Sequence, residues 1–452
     1  MISVRTLIAA SVCTALSFCM LLSVSAEEST PAPTETPVID DEGEFIGDVD
    51  YASTAFANNY LDDTGKALDD TTTVLKTTDN GTETVSMVPE GLSVINTLGD
   101  STWSRAVSTM ISVYSKQGTY PSASLKIDAY DDVLYHYLIV TPSDTTVVKL
   151  DYAGDTPKTL NNMVDSDLTE NGWWFVGSVN GGFFTNSDDY PGYGYPTGAV
   201  RTDGEWQTWT NSSGDSWDLI PDHNEGYVTA YWTGSDLQLS YNGWDRSLFN
   251  QWGQIGNWFG EITKETNYEN ALSGSYSLFA NGEEVNLSPV SASATSTYWN
   301  YGRSVTLFGQ LADGRYVLLT TVGTCRGDEQ IALLNHVAER ENSTMEDAIR
   351  LDGGGSTQMC FDQGLIDTEI SSDAKALIGA DSADAIGTVN VLITNLNIRR
   401  QPSLTGGILG AASQSTYNVY ETKDVDGYTW YRIRSNQWIA SKEGEWTQYT
   451  AK

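Results

Sequence analysis

The sequence predicts an α+β domain, rich in strands with packed helices, followed by a small all-β barrel. Three observations carry that prediction. β-branched, aromatic and aliphatic residues cluster in short runs from about residue 130, as in VLYHYLIVTP (133–142). One later segment, DEQIALLNHVAER (328–340), switches to helical spacing. Beyond ADSADAIGT (380–388), which reads as a boundary, short β-rich runs are broken by Gly, Pro and Asp-Gly, the texture of a barrel of roughly 60 residues.

The N-terminus sets the expected compartment. Arg5, an apolar run from Leu7 to Leu22 and the small-residue end Val24-Ser25-Ala26 form the pattern of a secretory signal peptide, cleaved after Ala26. The expected product is a secreted protein, extracellular or associated with a cell wall. Residues 27–100 open with EESTPAPTETPVIDDEGE and stay acidic and Thr-rich. Such a segment buries too little apolar surface to fold fully and is expected to be a partly disordered linker. The two folded domains are then expected at 101–385 and 389–452. No later stretch approaches the roughly 18 apolar residues of a membrane span.

Within the first domain, VLYHYLIVTP (133–142) and TTVVKLDYAG (145–154) read as strands joined by a tight Pro-Ser-Asp turn. WWFVGSVNGGFF (173–184) reads as a strand running into paired glycines. Residues 203–300, dense in Trp, Tyr, Asn and Gly, read as surface excursions and short strands inserted in the domain. SVTLFGQLADGRYVLLTTVG (304–323) is a hairpin around Asp313-Gly314, a strong turn pair. In the helix that follows, Ile331, Leu334, His336 and Val337 lie near one face, with Asp328 placed to cap it. Ser343 and Glu346 offer a second capping box.

Composition excludes some functions. The 452 residues carry 24 basic and 60 acidic side chains, a net charge of −36, which opposes nucleic-acid binding because phosphates would go unneutralised. With three histidines and no Cys/His cluster at zinc spacing, no motif demands a metal or other cofactor, although a divalent ion on carboxylates near Asp352 stays open. Cys13 and Cys19 lie in the signal segment. For Cys325 and Cys360, a disulfide and two buried thiols are equal alternatives; the bridge would add about 3–4 kcal/mol.

Chemistry concentrates in two segments, VNGGFF (179–184) and LDGGGSTQM (351–359). Each ends an apolar stretch with a short polar side chain, Asn180 or Asp352, and then glycines. Such a side chain can hydrogen-bond or do acid–base work, while bare glycine amides can form a concave nest for an anion. The structural alternative is a pair of tight turns. Arginine is scarce, and Arg201, Arg303, Arg326 and Arg350 sit beside these motifs or at strand edges. A planar guanidinium suits phosphate or carboxylate, which makes Arg303 and Arg326 candidates. Arg350, alternating with Asp352 on one strand face, reads as solvated surface charge. His136, between Tyr135 and Tyr137, reads first as a strand histidine and second as a substrate contact.

In this order, VNGGFF, GRSVTLFGQLADGRYVLL and LDGGGSTQM resemble the phosphodiester glycosidase family over about residues 130–385. The resemblance implies a hydrolase that cleaves the sugar C1–O bond of a phosphodiester-linked glycan. It implies that Asn180, Gly181, Gly182, Arg303, Asp352, Gly353, Gly354 and Gly355 line the site. From the chemistry of that bond, Asp352, Arg303 and Asn180 are expected in catalytic roles, and Gly181, Gly182, Phe183, Arg326, Gly353, Gly354, Gly355, Ser356 and His136 are expected to bind substrate. LNIRRQPS (396–403), TWYRI (429–433) and QWIAS (437–441) are similar to bacterial SH3-like domains, which implies a peptidoglycan-binding module with Trp430 and Trp438 at its tryptophan positions. The rival functions are a wall-glycan hydrolase acting on ordinary glycosidic bonds and a non-catalytic carbohydrate-binding surface protein.

Overall fold

The computed structural model describes residues 73–78, 81–96, 105–185, 191–220, 228–241, 267–285, 304–381 and 385–452, apart from single residues and short gaps inside those ranges. The expected signal segment, most of the expected linker, the Trp- and Asn-rich stretch 242–260 and Arg303 lie outside the described residues.

Two sheets packed face to face form the centre of the first domain. The larger has eight strands. Its middle runs Tyr276–Ala280, Met345–Arg350, Thr306–Leu311, Tyr316–Val322, Val133–Val140 and Ala123–Tyr130, all antiparallel neighbours. The smaller has five, in the order Leu92–Asn96, Gln358–Asp362, Trp173–Asn180, Thr109–Lys116 and Thr146–Tyr152. Alternation of side chains along a strand decides what each residue packs against. All eight residues of Val133–Val140 are buried. Leu134, Leu138 and Val140 join the cluster between the sheets, while Tyr135, Tyr137 and Ile139 join the cluster beneath a helix. A strand covered on both faces needs such a continuous apolar run. Gly177 sets how closely the sheets approach, since a Cβ there would come within 2.9 Å of Leu138 Cδ1.

Helices close the outer faces. Gly327–Arg340 lays Ile331, Leu334, Val337 and Ala338 on the larger sheet. Two single-turn helices, Leu160–Met163 and Ser166–Glu170, flank the smaller sheet, where Leu160 and Met163 pack with Met110, Tyr114 and Phe175. The domain is thus strand-rich, as expected, with few helices. No helix among the described residues is long and apolar enough to cross a membrane.

Several local expectations meet a different outcome. The 306–311 and 316–322 hairpin forms as expected around Gly314, whose φ is +88°. The strands on either side of Pro142-Ser143-Asp144, however, enter different sheets, so that turn is a crossover. The long helix is capped at Arg326, whose backbone N–H donates to Glu329 Oε2 at 2.7 Å; Asp328 lies in the first turn instead. The Ser343–Glu346 box starts no helix, because Met345–Arg350 pairs with strands on both sides and that pairing outweighs local capping. The described residues of 203–300 form the short strands expected there. They contribute to a five-stranded sheet in which Val228–Thr233 is largely buried. The strand Asn270–Gly274 of that sheet continues through Ser275 into Tyr276–Ala280 of the larger sheet, and Ser275 N donates to Arg350 O at 2.8 Å.

Among the described residues, the strands from Gly387 onward pair only with one another, in a three-stranded and a five-stranded sheet around Val389, Val391, Val419, Ile433 and Ile439.

Candidate functional site

Asp352 ends the Met345–Arg350 strand, and Asn180 ends Trp173–Asn180, in the opposite sheet. The two bends sit side by side. Asn180 Nδ2 donates to the Asp352 carbonyl at 3.0 Å, and Asp352 N donates to the Gly181 carbonyl at 3.0 Å. Asn180 is fully buried, and its Oδ1 accepts from Thr306 Oγ1 at 2.6 Å and Gln358 N at 3.1 Å. Its amide is therefore committed to three strands around Asp352. That corrects the expected catalytic role: Asn180 positions the aspartate from beneath and presents no polar atom to a substrate.

The glycines are corrected in the same way. Gly181 N donates to Thr109 O at 2.8 Å and Gly182 N to Thr109 Oγ1 at 3.0 Å, and both residues are buried. Gly353 N donates to Asp352 Oδ1 at 2.8 Å and Gly354 N to Ser304 O at 2.8 Å. These four amides are used by the fold and form no open anion nest. Each residue of the triple glycine answers a different demand. A Cβ on Gly353 would come within 2.5 Å of Ser304 O and 2.9 Å of Arg350 Nη2; Gly354 has φ +62°; a Cβ on Gly355 would overlap the Arg105 guanidinium.

Positive charge at the site comes from arginine. Arg350 is buried, contrary to the expected solvated charge, with its guanidinium 5.7 Å from the ring centres of both Phe183 and Tyr276. Aromatic faces there offset part of the cost of desolvating the cation. The signal in the sequence was its place in an otherwise buried strand, since a buried arginine needs electrostatic partners. Arg105 and Arg350 both act on Asp352. Burial pushes the Asp352 carboxyl up to about 6; the Ser356 hydroxyl, Gly353 N–H and the two arginines pull the other way. A strip of its surface stays open, so the acid is desolvated yet reachable. A carboxylate and two guanidinium groups thus meet at one glycine turn.

The other predicted residues scatter. Arg326 is exposed and ion-paired to Glu329 at 3.3 Å and Asp328 at 3.5 Å, beside a 260 Å³ cavity bounded by Tyr130 and Asp131. His136 is buried between the sheets, on the face of Leu134 and Leu138. Desolvation lowers its pKa to about 4, so it is a neutral core histidine and makes no substrate contact. Cys325 and Cys360 are buried thiols, not a disulfide, because they belong to different clusters. Trp430 and Trp438 are 1% and 5% exposed and pack with Ala440, Val425, Tyr428 and Trp446. Buried rings build the core of the C-terminal sheets and offer no face to a glycan. Among the described residues, no group of three or more His, Cys, Asp or Glu side chains is placed to hold a metal ion.

Comparison with known proteins bears on the same region. The family model of phosphodiester glycosidases matches residues 175–391, which include Asn180, Arg350 and Asp352. Among solved structures, one match is the zebrafish N-acetylglucosamine-1-phosphodiester alpha-N-acetylglucosaminidase catalytic domain, auto-inhibited by its pro-peptide. It is 16% identical, with a TM-score of 0.32, over 56% of this chain and 77% of that one. A hypothetical protein from Synechocystis matches at 13% identity and a TM-score of 0.27, over 66% of this chain and 77% of that one. No curated protein matches the chain. The stretch that holds Asp352 against Asn180 is thus the part of the chain that matches the phosphodiester glycosidase family.

Proposed function

We propose that the chain is a secreted glycoside hydrolase that cleaves the C1–O bond of a sugar-1-phosphodiester in a cell-surface or extracellular glycan. One observation carries the reading: the Asp352 carboxylate and the Arg350 guanidinium meet at a single glycine turn, with both held by strands of the fold. Breaking the C1–O bond builds positive charge on the sugar ring, which a carboxylate close to C1 stabilises. The other fragment leaves as a phosphate ester, already an anion, so it needs charge stabilisation more than protonation. Asp352 then steadies the sugar, and Arg350, buried behind the turn, adds positive charge to the site from beneath. Asn180, Thr306 and Gln358 hold the Asp352 backbone in place. The C-terminal sheets are proposed as the wall-facing module, with Trp430 and Trp438 as its internal support.

The decisive experiment compares wild type with Asp352→Asn on glycosyl-1-phosphodiesters, with products identified by mass. The variant keeps size and hydrogen bonding but loses the charge. A fall in kcat of roughly 100-fold or more is expected, the scale of losing one electrostatic stabiliser of a transition state. Wild-type turnover in the variant removes Asp352 from the mechanism.

A further inference from the structure

Arg105 lies outside the family match, ahead of the Thr109–Lys116 strand, yet the fold brings it to the triple glycine. Its backbone is gripped on both sides by one buried side chain. Arg105 N donates to Gln358 Oε1 at 3.1 Å, and Gln358 Nε2 donates to Arg105 O at 3.0 Å. Through its own backbone N–H, Gln358 also donates to Asn180 Oδ1. The Arg105 backbone is therefore keyed to the bracket that holds Asp352.

The side chain then reaches the turn. A Cβ on Gly355 would overlap Arg105 Nη1 and sit 2.9 Å from its Cζ, just as one on Gly353 would sit 2.9 Å from Arg350 Nη2. Two guanidinium groups thus lie against one three-residue turn, Arg350 buried and Arg105 exposed. Both are close enough to lower the pKa of Asp352. The exposed planar fork of Arg105, with the buried Arg350 charge behind the same turn, suits a phosphodiester, whose non-bridging oxygens accept charged hydrogen bonds.

We propose that Arg105 is a specificity-determining residue that holds the phosphate of the substrate from the solvent side, opposite Arg350. The proposal rests on the hydrolase reading above and adds the residue that makes the site prefer a charged leaving group. The expected signature separates charge recognition from general chemistry. Arg105→Ala lowers kcat/KM on a glycosyl-1-phosphodiester by about 10- to 100-fold, mainly through KM, the effect of removing a charged bidentate contact. At pH 8, where Asp352 is ionised with or without Arg105, the loss is several-fold smaller on the nitrophenyl glycoside of the same sugar, whose leaving group bears no phosphate. Arg105→Lys falls between, since the charge stays and the fork is lost. The inhibition constant of inorganic phosphate rises in parallel, while the thermal midpoint stays put.

Equal losses on both substrates mean that Arg105 merely supports the fold, and the proposal fails. An Arg105→Ala variant indistinguishable from an active wild type sinks this proposal alone. A wild type inert toward every phosphodiester sinks the hydrolase reading as well.

Discussion

Asp352 combines two opposed influences in one side chain. Burial raises its pKa to about 6, while Ser356, Gly353, Arg350 and Arg105 favour the ionised form. A carboxylate that stabilises a positively charged transition state must be ionised, so the sign of the pH dependence follows. For phosphodiester cleavage, kcat/KM is expected to climb as pH passes upward through about 6 and to level off above it. A profile that falls across that range would assign Asp352 to proton donation instead. Arg350 illustrates the complementary rule. Its charge is tolerated in the interior because two aromatic faces and the nearby acid offset part of its lost hydration.

Between elements, the site depends on a single amide. Asn180 joins its own strand to Thr306–Leu311, to Gln358–Asp362 and to the bend after Met345–Arg350. Asn180→Ala would strand the Thr306 hydroxyl, the Gln358 N–H and the Asp352 carbonyl in a buried setting. Unmet buried groups cost about 1–3 kcal/mol each, partly recovered by relaxation, so a loss of about 2–4 kcal/mol in unfolding free energy is expected. Denaturant unfolding measures it, and an unchanged midpoint would show that the bracket does not hold the bends. The inserted sheet enters the same argument, because Ser275 ties its last strand to Arg350 O. An element that reads as decoration is covalently and hydrogen-bonded next to the chemistry.

For the whole molecule, the buried Asp151 sets a pH limit on stability. Its Oδ2 accepts from Ser112 Oγ at 2.6 Å and Tyr114 OH at 2.8 Å, and Tyr114 OH accepts from Asp165 N at 2.8 Å, next to a helix start. Desolvation raises its pKa from 3.8 to about 7; Asp165 adds to the rise, while Ser112, Tyr114 and Lys149 oppose it. The folded state keeps this proton while the unfolded chain gives it up. The contribution to stability is therefore full below about pH 4 and is lost as pH rises through about 7. Asp151→Asn keeps the acceptor for both hydroxyls and removes the ionisation. Its thermal midpoint is expected to exceed that of wild type at pH 8, with the gap closing near pH 4. A gap independent of pH would show that Asp151 is not the group that titrates.

Local order in the sequence determined the strand texture, the Asp313-Gly314 hairpin, the helix at 328–340 and the two glycine bends at Asn180 and Asp352. Each of these depends on propensities that act within a few residues. Tertiary structure decided what the bends face. It turned the glycine amides inward to Thr109 and Ser304, buried Arg350 where alternation alone implied a surface charge, and brought in Arg105 through a hydrogen bond spanning 253 residues. It also made a strand of the Ser343–Glu346 segment and placed His136, Trp430 and Trp438 in cores. The physical reason is common to all of them. Whether a polar group meets water, a partner or a ligand depends on which strands pair over it, and pairing couples residues far apart in the chain.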